Sequence, residues 1–135
     1  MKRALAAVAL CACAHGESFH PPAGYAVTRA GAVEVCLPPG ENAYVKSLRC
    51  PDGTAPRAER MGSVGTRGPI GKADEERALL QMDAGRPLAA GEPDLHIVDA
   101  FKLSCGARET TLFVDVYHCA SGSPRGAPSG FSLQQ

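Results

Sequence analysis

The sequence predicts a small, mainly β single domain: an antiparallel sheet of hairpins with one short helix, stapled by disulfides. Short runs rich in β-branched and aromatic residues alternate with turn sequences, and the 135 residues include 15 Gly and 11 Pro. Helical periodicity is clear in a single stretch. Four of the six cysteines lie in the part of the chain expected to fold. With no Trp and 5% aromatic residues, the core is expected to be small.

The first half of the domain is predicted to be a small meander. Residues 25–28 and 32–37 are short strand candidates, and a Pro-Pro-Gly-Glu turn follows at residues 38–41. Residues 43–50 are predicted to return as a strand. Residues 57–64 are predicted to add a further, more exposed strand.

One stretch, residues 74–84, is predicted to be helical. Acidic residues occupy its first turn, and apolar Ala78, Leu79 and Met82 recur at helical spacing. The Gly-rich run at residues 62–72 that precedes it lacks the Gly-Lys-Ser or Gly-Lys-Thr ending of a phosphate-binding loop, so a surface loop is predicted there.

The densest strand-forming sequence is a pair of runs, residues 95–104 and 110–117, separated by a short polar connection. This pattern predicts a β-hairpin, and its apolar alternation selects a register that pairs Cys105 with Thr110. The face expected to be buried carries Leu95, Ile97, Asp99, Phe101, Leu103, Leu112, Val114, Val116 and His118. The face expected to meet water carries His96, Lys102, Thr111, Asp115 and Tyr117.

Two ionisable side chains, Asp99 and His118, interrupt the apolar face on diagonal positions about 7 Å apart. A buried carboxylate needs a partner, and an imidazole can supply it, so a satisfied structural pair is expected. The alternative is a hydrolase in which Asp99 orients His118 as general base, with Ser104 or a bound water as nucleophile. No Gly-x-Ser-x-Gly pattern of a nucleophile elbow accompanies the pair.

The same region offers nitrogen and oxygen donors suited to zinc or copper, in His96, Asp99, Asp115 and His118. The predicted register places His96 and Asp115 on the opposite face from the other two, so one sheet cannot bring all four together. The cysteines are too widely spaced for a thiolate zinc site. No metal site and no cofactor is therefore predicted.

The chain begins Met-Lys-Arg and continues with an uncharged apolar run to residue 12. That pattern is typical of an export signal, and the run is too short for a membrane-spanning helix. Leu-Cys-Ala-Cys at residues 10–13 resembles the lipobox of bacterial lipoproteins, although Cys11 stands where a small or β-branched residue is usual. The resemblance covers only this leader and implies a lipid on Cys13. Ordinary signal cleavage after Ala14 is the alternative.

Four regions are therefore predicted. Residues 1–12 form a signal peptide, residues 13–24 a lipidated N-terminus with a flexible tether, residues 25–119 the β-rich domain, and residues 120–135 a mostly irregular tail. In the tail, Phe131 and Leu133 are expected to pack onto the domain.

The hairpin register constrains the disulfides. Cys105 lies at the turn of the hairpin, whereas Cys119 lies about 30 Å further along an extended strand, and a disulfide needs Cα atoms within about 7 Å. The same reasoning separates Cys36 from Cys50. Bridges are therefore predicted to join the two halves of the chain, as Cys36–Cys119 with Cys50–Cys105 or as Cys36–Cys105 with Cys50–Cys119.

These observations predict a small exported lipoprotein of the bacterial cell envelope, secreted or periplasmic if the lipid is absent. Its expected role is a non-catalytic binding or structural module, not an enzyme. The net charge is zero, which gives no electrostatic case for nucleic acid as a partner. The expected partners are the membrane, through the lipid, and other envelope proteins.

Overall fold

The computed structural model describes residues 18–134. The predicted signal peptide and the lipidated Cys13 lie outside these residues. In chain order the elements are β1 (Val33–Glu34), α1 (Leu37–Ser47), β2 (Leu48–Arg49), β3 (Arg57–Thr66), a 3-10 turn (Lys72–Asp74), α2 (Glu75–Gln81), β4 (Ile97–Cys105), β5 (Arg108–Asp115) and β6 (Ser132–Leu133).

The main sheet has four strands in the order β1-β5-β4-β3. β4 lies at its centre and pairs antiparallel with both β3 and β5. β1 runs parallel to β5, with Val33 opposite Val114, so the predicted wholly antiparallel sheet is a mixed one. β2 and β6 form a separate antiparallel pair, in which Leu48 lies opposite Leu133. The predicted mainly β, single-domain fold is confirmed.

The β4–β5 hairpin is confirmed, but its register differs from the predicted one by two residues. Cys105 pairs with Arg108 across a two-residue turn, whose first residue, Gly106, has a φ of 59° that suits glycine. Because side chains alternate with a period of two, a shift of two leaves every residue on its predicted face. His96 and Asp115 nevertheless do not meet water as predicted, since both are buried.

The first half contains a second helix where a strand was predicted. Residues 43–50 belong mostly to α1, and the predicted turn at residues 38–41 is the first part of this helix. Prolines at the start of α1 are compatible with a helix because its first N–H groups need no intrahelical acceptor. Tyr44 of α1 is buried in the core, and Leu48, which follows the helix, is buried in β2. Burial of Tyr44 on the inner face of α1 therefore outweighed the strand propensity of residues 43–50.

The other elements follow the predictions more closely. The strand predicted at residues 57–64 is β3, and the helix predicted at residues 74–84 corresponds to the 3-10 turn and α2. Residues 25–28 form a turn instead of a strand.

The core lies between α1 and one face of the main sheet. Its buried members are Ala26, Val33, Val35, Tyr44, Leu48, Phe101, Leu103, Leu112 and Val114. Phe131 and Leu133 pack against it from the tail, as predicted. The Tyr44 hydroxyl also donates to the Gly126 carbonyl at 3.0 Å, which fastens the tail to the helix.

Two disulfides, Cys36–Cys119 and Cys50–Cys105, join the two halves of the chain. The predicted cross-linking is confirmed, and the first of the two predicted patterns is the one formed. Cys50–Cys105 ties the turn of the β4–β5 hairpin, while Cys36–Cys119 lies beyond its other end. Such bridges persist in oxidising compartments, which indicates an extracytoplasmic location.

Within residues 18–134, none of the helices has the length and apolar character needed to cross a membrane.

Candidate functional site

The open end of the β4–β5 hairpin, opposite its turn, gathers several polar side chains. β5 ends at Asp115, and Tyr117 then forms an isolated antiparallel bridge with Cys36. The Tyr117 N–H donates to Asp115 Oδ1 at 3.0 Å, and the His118 N–H donates to the Val35 carbonyl at 3.1 Å. The alternation of the strand therefore stops at Asp115, and the His118 ring lies beside the Asp115 carboxylate.

The segment that leads into β4 supplies the other half of this site. Gln81 of α2 is buried, and its Oε1 accepts the Leu95 N–H at 2.8 Å. The His96 N–H donates to Asp94 Oδ1 at 3.1 Å, and the Arg67 N–H donates to the His96 carbonyl at 3.0 Å. These bonds place Asp94 and His96 next to the end of β5.

Four side chains meet here and form what we call the histidine–carboxylate cluster: Asp94, His96, Asp115 and His118. His96 Nδ1 lies 3.0 Å from Asp94 Oδ1 and 3.0 Å from Asp115 Oδ2. His118 Nε2 lies 2.9 Å from Asp94 Oδ2 and 3.0 Å from Asp115 Oδ2. The two ring nitrogens are 3.2 Å apart. One donor atom from each residue lies within 4.8 Å of all the others.

Arg67, which follows β3, borders the cluster. Its Nη1 lies 3.1 Å from Asp94 Oδ2 and 3.2 Å from Asp115 Oδ2, and it also lies 3.2 Å from Glu34 Oε1. Its Nη2 donates to two backbone carbonyls of the loop before β1. The guanidinium therefore compensates part of the negative charge of three carboxylates and is itself held by the backbone.

The cluster is buried on one side and accessible on the other. The side chains of His96 and Asp115 are 1% and 0% exposed, whereas those of His118 and Asp94 are 12% and 21% exposed. His96 and His118 also line a pocket of about 470 Å³, together with Tyr117 and the loop that follows α2. A small ligand can therefore reach the cluster from solvent at His118 and Asp94, whereas His96 is covered.

The carboxylates make the cluster favourable to positive charge. Burial alone would lower the pKa of both histidines, but hydrogen bonds with Asp115 and Asp94 raise the pKa of His96 to about 9 and that of His118 to about 9. Burial would raise the pKa of the carboxyls, yet contacts with the imidazoles hold the pKa of Asp115 at about 2 and that of Asp94 well below its usual range. Two protonated imidazoles whose nitrogens lie 3.2 Å apart repel, so the histidine pair takes up a second proton less readily than the first.

Asp99, the predicted partner of His118, is bonded elsewhere. Its carboxylate accepts hydrogen bonds from Arg60 and from Ser63 Oγ, both on β3, the latter at 2.7 Å. His118 instead contacts the two carboxylates of the histidine–carboxylate cluster. The structure does not form the predicted pair, because the register is shifted by two residues and β5 ends before His118.

The four side chains considered for a metal site do not all meet, since Asp99 lies elsewhere, but the predicted separation of His118 from His96 and Asp115 is wrong. His96, Asp115 and His118 do come together, since the chain leaves the strand at Asp115, and Asp94 occupies the place that the sequence reasoning gave to Asp99. Asp94 was missed because it precedes the strand. The short spacings Asp-x-His at residues 94–96 and Asp-x-x-His at residues 115–118 were the available signal.

A second polar group, the Glu41–Asp99 cluster, joins the buried carboxyl groups of Glu41 and Asp99 to the exposed side chains of Arg60 and Ser63. The Glu41 side chain is 4% exposed, and its Oε2 lies 4.0 Å from Arg60 Nε. Among the described residues, its Oε1 has no hydrogen-bond partner. Burial and the nearby charge of Asp99 raise the pKa of Glu41 to about 7.

The fold and the histidine–carboxylate cluster define a disulfide-stapled β domain with a buried imidazole–carboxylate site beside a pocket. Comparisons of this chain with protein-family models, with curated proteins and with solved structures found no match.

Proposed function

We propose that this protein is a small lipoprotein of the bacterial cell envelope whose folded part is a non-catalytic binding or structural module, binding being the role that the geometry favours. The observation that carries the proposal is the histidine–carboxylate cluster, whose two imidazoles line a pocket beside the Cys36–Cys119 disulfide. A covalent crosslink next to His118 holds the site in one arrangement, and preorganised polar groups favour binding.

Export is supported by the two crosslinks between the halves of the chain and by the leader sequence. The lipid is supported by the resemblance of residues 10–13 to a lipobox. Secretion without a lipid, or a soluble periplasmic location, is the alternative that the experiment below separates.

A non-catalytic role is supported by the surroundings of His118. Its ring contacts carboxylates, the second imidazole and Arg67, and no hydroxyl or thiol of residues 18–134 is hydrogen-bonded to it. All four cysteines of the domain are in disulfides. Ser104, the nucleophile of the alternative hydrolase, lies near the turn end of β4, far along the strand from the cluster. No specific contact favours the hydrolase.

The lipid anchor is tested by fractionating cells that produce the full chain. Wild-type protein is expected in the membrane fraction, with the mass of its N-terminal peptide increased by the lipid. Cys13→Ala is expected to release the protein into the soluble fraction. Cys11→Ala is the matched control, since it removes a cysteine of the same leader and is expected to leave the protein in the membrane. Wild-type protein found wholly soluble, or Cys13→Ala retained as wild type, would contradict the anchor.

A further inference from the structure

The histidine–carboxylate cluster presents the donor atoms of a transition-metal site. Two imidazole nitrogens and two carboxylate oxygens are ligands that suit Zn²⁺ and its neighbours in the first transition series, whereas Mg²⁺ and Ca²⁺ prefer oxygen alone. The only polar contacts of the His96 ring are made through Nδ1, because its Nε2 is buried without a partner among the described residues. The ring is therefore directed at the cluster.

The spacing of these atoms agrees with one shared ion. Four ligands at Zn–N and Zn–O distances near 2.0–2.1 Å in a tetrahedron lie roughly 3.3 Å from one another. The closest contacts between an imidazole nitrogen and a carboxylate oxygen in the cluster are 2.9 to 3.0 Å, and the two nitrogens are 3.2 Å apart. No pair among the four chosen donor atoms exceeds 4.8 Å. Around one ion the close nitrogen–oxygen contacts would lengthen by a few tenths of an ångström, and the widest pair of donor atoms, up to 4.8 Å apart, would close toward roughly 3.3 Å.

The surrounding charges favour a divalent ion. Asp94, Asp115 and Glu34 contribute three carboxylates, and Arg67 contributes one guanidinium. With both imidazoles neutral, as metal ligands must be, the formal charge of the group is minus two. Arg67 Nη1 donates to both carboxylates, which is the kind of outer contact that orients carboxylate ligands in metal sites, and it lies 3.5 Å from His118 Nε2.

We propose that Asp94, His96, Asp115 and His118 bind one divalent transition-metal ion, with Zn²⁺ as the first candidate. The ion enters from the side of Asp94 and His118, which are partly exposed, and His96 and Asp115 form the closed floor. The inference names the ligand of the binding module proposed above and does not depend on the lipid anchor.

The test is isothermal titration of the full chain, purified with both disulfides formed, with Zn²⁺ alone. One equivalent of Zn²⁺ per chain is expected to bind, with no detectable binding of Mg²⁺. His118→Ala is expected to weaken Zn²⁺ binding at least about 100-fold. His20→Ala is the matched control, because His20 is exposed and its ring contacts the Ser18 carbonyl outside the cluster. It is expected to bind as wild type does.

A second pair of variants guards against loss of folding and checks which aspartate is the ligand. Asp94→Asn is expected to lose affinity, and Asp99→Asn, with its carboxylate bonded to Arg60 and Ser63, is expected to retain it. Co²⁺ bound to the wild-type chain is expected to give the intense visible absorption of a four-coordinate site.

Absence of saturable Zn²⁺ binding by the wild-type chain, or equal affinity in wild type and folded His118→Ala, would overturn the metal site. Either result leaves the envelope location to be judged by the Cys13→Ala fractionation alone. If the fractionation test contradicts the lipid anchor, the titration still tests the metal site.

Discussion

The two ends of the β4–β5 hairpin differ in how closely they follow the alternation of a strand. At the turn end, Leu103 and Leu112 point into the core while Lys102 and Thr111, on the other face, are not buried. At the open end both faces are buried, and the last residue of β5, Asp115, is fully covered.

The difference has a structural cause. The turn end has one face on the core and one in water, which is the usual state of an antiparallel sheet. At the open end, α2 holds the entry to β4 through Gln81, and the loop after α2 lines the same pocket as His96. Polar side chains that would face water at the turn end are therefore enclosed at the open end, where they need one another as partners.

The largest expected effect comes from the disulfides, which hold one end each. Cys50–Cys105 lies inside the loop closed by Cys36–Cys119, so with one bridge in place the other closes a path of about 28 residues, the difference between the two sequence separations of 83 and 55. The chain-entropy model then predicts a loss of about 3.6 kcal/mol in the free energy of unfolding when either bridge is removed, and a larger loss when both are. Urea denaturation of the two double Cys→Ser variants measures both.

The two variants should differ in where they perturb the fold. Removing Cys36–Cys119 is expected to shift and broaden the NMR signals of the His118 ring, because Cys119 is its neighbour in the chain. Removing Cys50–Cys105 is expected to leave those signals in place. Equal perturbation of the His118 ring by both variants would show that the two ends are not held independently.

The next effect concerns Asp115. Asp115→Ala leaves two imidazoles and Arg67 around a lost carboxylate, and breaking a buried charge network of this kind costs about 3 to 4 kcal/mol of unfolding free energy. Asp83→Ala is the control, since Asp83 is exposed and its carboxylate accepts one hydrogen bond, from the Gly85 N–H, so its loss is expected to stay within about 1 kcal/mol. Equal urea midpoints for the Asp115 and Asp83 variants would mean that the open end does not depend on its buried charges.

The same contrast explains what the sequence could predict. Alternation identified the inward residues of the hairpin even with the register shifted by two. Because Cys105 lies at the turn in either register, Cys119 is too far along the returning chain to bond with it, and cross-linking of the two halves could be predicted. The histidine–carboxylate cluster could not be predicted in this way, because it depends on where β5 ends and on the path of the segment before β4. Those are decided by tertiary contacts such as the one between Gln81 and Leu95, which leave no periodic trace in the sequence.

α1 shows a second limit of prediction from the sequence alone. Residues 43–50 carry apolar residues at positions that fit either a strand or a helix, and a run this short does not distinguish the two. The prolines at 38 and 39 read as a turn, yet they also suit the first turn of a helix. The helix is favoured by burial of Tyr44 in the core, which the isolated segment cannot reveal.

The smallest expected effect concerns Glu41, whose carboxyl faces Asp99 and Arg60. Its pKa is about 7 in the folded chain and about 4.5 when unfolded, so unfolding between these pH values releases a proton. The contribution of Glu41 to stability is therefore fully present below about pH 4.5 and declines as pH rises toward 7. Glu41→Gln removes this decline, and the difference between variant and wild type is expected to grow in favour of the variant across that interval.

Urea unfolding of both chains from pH 4.5 to 7 measures the difference. The histidine–carboxylate cluster is unchanged in Glu41→Gln, so the titration of His96 and His118 cancels when the two curves are subtracted. The depressed pKa values of Asp94 and Asp115 affect stability below this interval and cancel as well. Parallel curves would show that Glu41 is not held neutral by burial. The carboxyl groups of the Glu41–Asp99 cluster would then be ionised, like those at the open end of the hairpin, and the two clusters would differ less than the structure implies.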